Sequence, residues 1–71
     1  MKVIKKEDYH NEGIFIDLDV NYIPYQKIIY DPDSYLQKHN KYYFYCKSGI
    51  KSKEVVSRLE ALGYNCIRVV K

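Results

Sequence analysis

Four aromatic residues in a row, Tyr42-Tyr43-Phe44-Tyr45, lead directly into Cys46. The chain then passes through Lys47-Ser48-Gly49-Ile50-Lys51-Ser52 into a segment that sets Val55, Val56, Leu59 and Leu62 at helical spacing. An unbroken apolar run marks a strand covered on both faces, as in the interior of a parallel sheet. A buried strand followed at once by an amphipathic helix implies a crossover connection, which is right-handed and returns the chain to a parallel neighbour. The turn between them holds one glycine and two lysines. It is therefore tight, and its backbone N–H groups can converge on an anion at its mouth. Cys46 sits at that mouth. The helix N-terminus and the lysine charges both favour thiolate over thiol and lower the pKa of an accessible cysteine there. In open α/β sheets, sites lie beyond the carboxyl ends of the strands, which is where Cys46 falls.

The rest of the chain fits the same architecture. Met1–Ile4 reads as a short strand, Glu7–Gly13 as a polar turn, and Gly13–Leu18 as a second, nearly continuous apolar strand. Lys27-Ile28-Ile29-Tyr30 is a third strand candidate. Asp31-Pro32-Asp33-Ser34 supplies a cap, a proline at the first helical position and early acidic residues, while Lys38 and His39 stand in a last turn beside Asn40. This predicts a short helix. A longer helix runs from Lys51 or Ser52 to Leu62, with Gly63 as its left-handed cap and Glu54 and Arg58 as an i,i+4 pair on its exposed face. Asn65–Val70 is the last strand. The expectation is an α/β fold, a small parallel sheet of four to five strands flanked by helices, in one domain spanning residues 1–71. No repeat, linker or low-complexity tract interrupts it.

The pattern Cys46-x-x-Gly49-x-x-Ser52 resembles the active-site loop of the rhodanese-like sulfurtransferases, where a strand ends at the catalytic cysteine and the loop wraps its sulfur. The segment from Glu54 through Gly63-Tyr64 to Ile67 looks like that family's helix, Gly-aromatic stop and following strand. Ile23-Pro24 looks like a remnant of its His-Ile-Pro-Gly-Ala segment, and Phe15-Ile16-Asp17 like the strand that precedes its Asp-Val-Arg signature. There are also departures. Only Leu18-Asp19-Val20-Asn21-Tyr22 fills an interval that holds a helix in the family, the signature arginine is missing, and Tyr25 replaces a glycine. The chain ends at Lys71, before the Gly-Gly turn and closing helix. The resemblance implies a minimal rhodanese-like fold with a shallow pocket and a catalytic Cys46. Lys47, Ser48, Gly49, Ile50, Lys51 and Ser52 form its substrate-binding loop.

As the resemblance has it, Cys46 takes sulfur from thiosulfate, a small anionic donor, or from a persulfide-bearing protein, and passes it to cyanide or a thiol. Lys47 and Lys51 attract the anion. Ser48 and Ser52 bond the sulfur, or Ser52 caps the helix. No metal or organic cofactor is implied. The alternative, prompted by the missing helix, is a non-catalytic or low-turnover binding or sulfur-carrier module.

Composition narrows the field. A chain of 71 residues has room for one small core, since domains of this size bury only about 60% of their unfolded surface. Nine tyrosines, two phenylalanines and no tryptophan mean that much of that core carries hydroxyls needing a partner or an outlet to water. The net charge of +3 suits small anions but falls short of a nucleic-acid-binding face. No stretch is long enough for a membrane span, and Lys5, Lys6, Glu7 and Asp8 break any signal-peptide core. Two cysteines without an export signal predict free thiols and a cytoplasmic location.

His10 and His39 stand apart from any ligand set, so no metal site is expected. A Cys-x5-Arg phosphatase needs a guanidinium where this chain has Ser52, which disfavours phosphoryl transfer. Cys66, in the last strand and without the glycine-rich, lysine-bearing turn that follows Cys46, is expected to pack in the core. Redox coupling between Cys66 and Cys46 remains a minor alternative should the fold bring them together.

Overall fold

The computed structural model describes residues 1–20 and 24–71. Asn21, Tyr22 and Ile23 lie outside the described residues, and with them part of the interval that stands in for a helix and the first half of the Ile-Pro pair. Four strands, β1 (Val3–Lys5), β2 (Ile14–Asp17), β3 (Lys41–Tyr45) and β4 (Asn65–Val70), form one sheet in the order β1-β4-β3-β2. Every pairing is parallel, with Ile16 opposite Phe44 and Phe44 opposite Arg68. The aromatic strand β3 is therefore central, as its unbroken apolar run requires.

Among the described residues the α-helices are α1 (Tyr25–Tyr30) and α2 (Ile50–Ala61). Both pack on one face of the sheet. There Tyr42, Phe44, Cys46 and Cys66 meet Ile28 and Ile29 of α1 and Val55, Val56 and Leu59 of α2. On the opposite face Tyr43, Tyr45, Ile67 and Val69 cluster with their strand neighbours Ile4 of β1 and Phe15 of β2, and Tyr9 packs against them from outside the strands. Tyr9 is held there because its hydroxyl donates to the Gly13 carbonyl at 2.6 Å. A Cβ on Gly13 would lie 2.6 Å from the Tyr43 ring and 2.8 Å from the Lys41 carbonyl oxygen, so only glycine fits between these layers. No helix among the described residues is long and apolar enough to cross a membrane.

Lys27–Tyr30 is not a strand. It is the body of α1, which begins after Pro24. Tyr25, Ile28 and Ile29 stand at i, i+3 and i+4 and bury one helical face together. Four residues read alone could not show that period. The helix expected from Asp31 to His39 shrinks to a single 3₁₀ turn, Pro32–Ser34. The local signals do operate, since the Ser34 hydroxyl donates to Asp31 Oδ2 at 2.7 Å. Propagation stops because Leu36 is drawn into the core and the Gln37 N–H donates to the Tyr42 hydroxyl at 2.7 Å.

At the end of α2, the Tyr64 N–H donates to the Leu59 carbonyl at 2.9 Å and the Gly63 N–H to that of Glu60 at 3.0 Å. With Gly63 at φ 94° this is a Schellman cap, which turns the chain straight into β4. Arg58 does not pair with Glu54. Its guanidinium lies 5.4 Å from the centre of the Tyr30 ring, a cation–π contact that draws it away along the helix.

Candidate active site

The strand β3 carries Cys46 to the carboxyl edge of the sheet, where the Leu18 N–H donates to the Tyr45 carbonyl at 2.8 Å and keeps the neighbouring chain alongside. Gly49, at φ 80°, then reverses the backbone and becomes the residue from which α2 starts. This left-handed conformation is costly for any residue with a Cβ. As a result α2 begins at Ile50, a residue or two before the sequence suggested, and its first turn is aimed at the Cys46 sulfur.

The Ser52 N–H donates to Cys46 Sγ at 3.3 Å. The thiol donates to Ser52 Oγ at 3.6 Å, and Ser48 Oγ stands 3.9 Å from the sulfur. Burial taken alone would raise the pKa of this thiol. The Ser52 N–H and hydroxyl, the Ser48 hydroxyl and the backbone at Gly49 outweigh it and bring the thiol below its ordinary value. The arrangement is therefore a thiolate cradle made of one loop and one helix N-terminus.

Ser52 is not the helix cap. It lies within the first turn, fully buried, and its hydroxyl donates back to the Gly49 carbonyl at 3.2 Å. Ser48 is nearer a capping role, since its Oγ accepts the Ile50 N–H at 3.3 Å. Lys47, Ser48 and Ile50 are exposed, with the Ile50 side chain at 74%, while Gly49 and Lys51 are half-buried.

Cys46 itself is only 2% exposed, against the expectation of an accessible thiol. The loop closes over the sulfur it solvates. Two surface hollows of about 400 Å³ lie toward the far end of α2, one along Ser57, Arg58, Ala61 and Leu62 and one between Tyr30, Lys38 and Tyr64. None of the Cys46 loop residues lines them.

Cys66 belongs to a different environment. It pairs in register with Tyr42, so Cys46 lies four residues further along the adjacent strand. At about 3.3 Å per residue this sets their Cα atoms roughly 13 Å apart along the strands, well beyond the roughly 7 Å that a disulfide spans without rearrangement of the sheet. Coupling of the two cysteines in the folded chain is excluded on that ground. Burial, with a smaller contribution from Glu60, pushes the Cys66 thiol up to about 11.

Two residues that sequence reasoning passed over complete the site. Asp19, just beyond β2, accepts the Lys47 N–H at 2.8 Å through Oδ2 and the Lys51 ammonium at 3.3 Å through Oδ1. The Lys47 N–H, more than the lysine charges, holds its carboxyl below the usual range. Arg68, in the middle of β4, donates through Nη2 to the Gly49 carbonyl at 3.2 Å. Its signal was available, since a lone charge inside the otherwise apolar Cys66–Val70 run of a central strand calls for a partner. Asp19 had no local signal, because its importance comes only from the carboxyl ends of β2 and β3 being adjacent.

No protein-family model, no curated protein and no solved structure matches this chain.

Proposed function

We propose that the chain is a rhodanese-like sulfurtransferase working in the reducing cytoplasm, with Cys46 as its nucleophile. The observation that carries this reading is the Ser52 N–H directed at Cys46 Sγ, backed by two serine hydroxyls at the start of α2. A thiolate so held attacks the sulfane sulfur of thiosulfate. A bond forms between Sγ and that sulfur, the S–S bond of thiosulfate breaks, and sulfite leaves with the electron pair. The product is a Cys46 persulfide. Attack on its outer sulfur by cyanide or a thiolate then breaks the new S–S bond, regenerates the Cys46 thiolate and releases thiocyanate or an acceptor persulfide. This is covalent catalysis, in which the N–H donors hold the sulfur anion as an oxyanion hole holds oxygen.

A second reading, a sulfur carrier or binding module with little turnover, is favoured by two specific observations. Cys46 is buried, and the Asp19 carboxylate lies across the loop that an anionic donor must approach. Intact mass after thiosulfate, combined with a cyanide-acceptor assay, separates the two. A gain of one sulfur with repeated thiocyanate release is expected of the enzyme. Stoichiometric uptake from a persulfide donor without multiple cycles identifies the carrier, and no sulfur on Cys46 with any donor overturns both the enzyme and the carrier and leaves a non-catalytic binding module.

A further inference from the structure

The Gly49 carbonyl oxygen is approached by three donors, each at 3.2 Å: the Lys53 N–H, the Ser52 hydroxyl and Arg68 Nη2. A carbonyl oxygen has two lone pairs, so one of these bonds can be given up without stranding it. The Lys53 N–H belongs to the helix backbone and cannot turn away. The guanidinium is anchored on β4 and pressed against Gly49, where a Cβ would come within 2.7 Å of Nη2. Only the Ser52 hydroxyl is free to rotate, and the Cys46 sulfur lies 3.6 Å from its oxygen.

From this geometry we infer that Arg68 is a positioning residue for the Cys46 thiolate: by holding the Gly49 carbonyl, it releases the Ser52 hydroxyl to donate to the sulfur. In the neutral site the thiol donates to Ser52 Oγ and the Ser52 hydroxyl donates to Gly49. Loss of the thiol proton turns the sulfur into an acceptor only. The hydroxyl then swings to it, and the charge-assisted bond from Arg68, beside the Lys53 N–H, keeps both lone pairs of the carbonyl occupied.

The placement of Arg68 agrees with this role. It is opposite Phe44, two residues before Cys46, in the middle of a central strand, and its Nε is buried with no hydrogen-bond partner among the described residues. No carboxylate pairs with it among those residues either. A partly desolvated guanidinium of this kind is costly unless a negative charge forms nearby. The other charged residues of the loop and the strand end beside it are Lys47, Lys51 and Asp19, and the Asp19 carboxylate pairs with the Lys51 ammonium and accepts the Lys47 N–H. That the thiolate serves sulfur transfer rests on the function proposed above. Its stabilisation by Arg68 is tested without any sulfur donor.

The test is the pH profile of iodoacetamide alkylation at Cys46, read at peptide level in the intact chain. Arg68→Met is expected to raise the midpoint by about one pH unit, slowing alkylation near neutrality up to about tenfold. Arg68→Lys, which keeps a cationic donor, is expected to recover part of the shift. Within a Ser52→Ala background the same Arg68→Met change should move the midpoint much less, because no hydroxyl remains to be released. An unchanged midpoint in folded Arg68→Met overturns the inference, as does an equal shift with and without the Ser52 hydroxyl. Should Arg68→Met fail to fold, Arg68→Lys and Arg68→Gln compared in the two backgrounds decide it by the same criterion. Sulfur uptake from thiosulfate, followed separately by mass, bears on the sulfurtransferase reading alone.

Discussion

Asp19 Oδ1 lies 3.3 Å from Lys51 Nζ, and the other oxygen of the same carboxylate accepts the Lys47 N–H at 2.8 Å. A fixed anion thus occupies the positive edge of the Cys46 loop, tying the end of β2 to the start of α2. Any thiosulfate drawn to these groups must compete with it. Asp19→Asn keeps an oxygen for the Lys47 N–H and removes the charge. Its apparent KM for thiosulfate should fall several-fold, whereas Lys51→Ala should raise it, and wild-type kcat/KM should decline with added salt as expected of exposed charges. Steady-state kinetics at two ionic strengths checks this. Identical KM values in all three proteins would leave the Asp19–Lys51 pair a structural tie only.

The chemical assignment stands on Cys46. Near neutral pH it should alkylate faster than Cys66, since its thiol lies below the ordinary value and that of Cys66 near 11. After thiosulfate it should carry one extra sulfur removable by cyanide. Cys46→Ser should lose that mass gain while circular dichroism still reports the folded chain. Peptide-level mass spectrometry that finds the sulfur on Cys66 would refute the assignment.

Cys66 should matter to stability and not to transfer. Replacement by Ala removes a buried sulfur and is expected to cost about 1 kcal/mol, with transfer per folded molecule unchanged. Its pH signature has a definite sign. The thiol is shifted by burial from 9.0 to about 11, so between those values the unfolded chain releases a proton that the folded chain keeps, and stability falls as pH rises through that window. Tyr64 adds a loss of the same sign at higher pH, because its bond to the Asp33 carboxylate pushes its hydroxyl from 10.0 to about 12. Urea titrations from pH 8 upward should show the decline in the wild type and a later onset in Cys66→Ala. Coincident onsets would remove Cys66 as the cause.

Gly49→Ala tests the reversal that aims α2 at the sulfur. A left-handed φ of 80° costs about 1–2 kcal/mol for a residue with a Cβ, and the new methyl would stand 2.7 Å from Arg68 Nη2. The variant should be destabilised by at least that amount and should lose the preference of alkylation for Cys46 over Cys66. A protein of unaltered stability would show that the loop can turn by another route.

What could be read without the fold followed from local chemistry. The apolar run ending at Cys46, the helical spacing of Val55, Val56 and Leu59, and the left-handed Gly63 are patterns within one element or its immediate neighbour. Strand β4 spans the residues expected, and α2 begins and ends within about a turn of its expected limits. The weakest readings lay where the window was short. Four residues of α1 could not distinguish helix from strand, and a good cap at Asp31 could not reveal that Leu36 and Gln37 would be claimed by the core and by Tyr42.

The sequence by itself determined that this chain builds a parallel α/β sheet and that a cysteine ends its central strand before a glycine turn into a helix, because backbone period and turn chemistry are properties of neighbouring residues. Only the tertiary structure decided what surrounds that cysteine. Asp19 comes to Lys47 from 28 residues away and Arg68 to Gly49 from 19, across strands whose order no local pattern encodes. The same packing buries the thiol that the loop serves, since the first turn of α2 can direct its N–H groups at the sulfur only by closing over it.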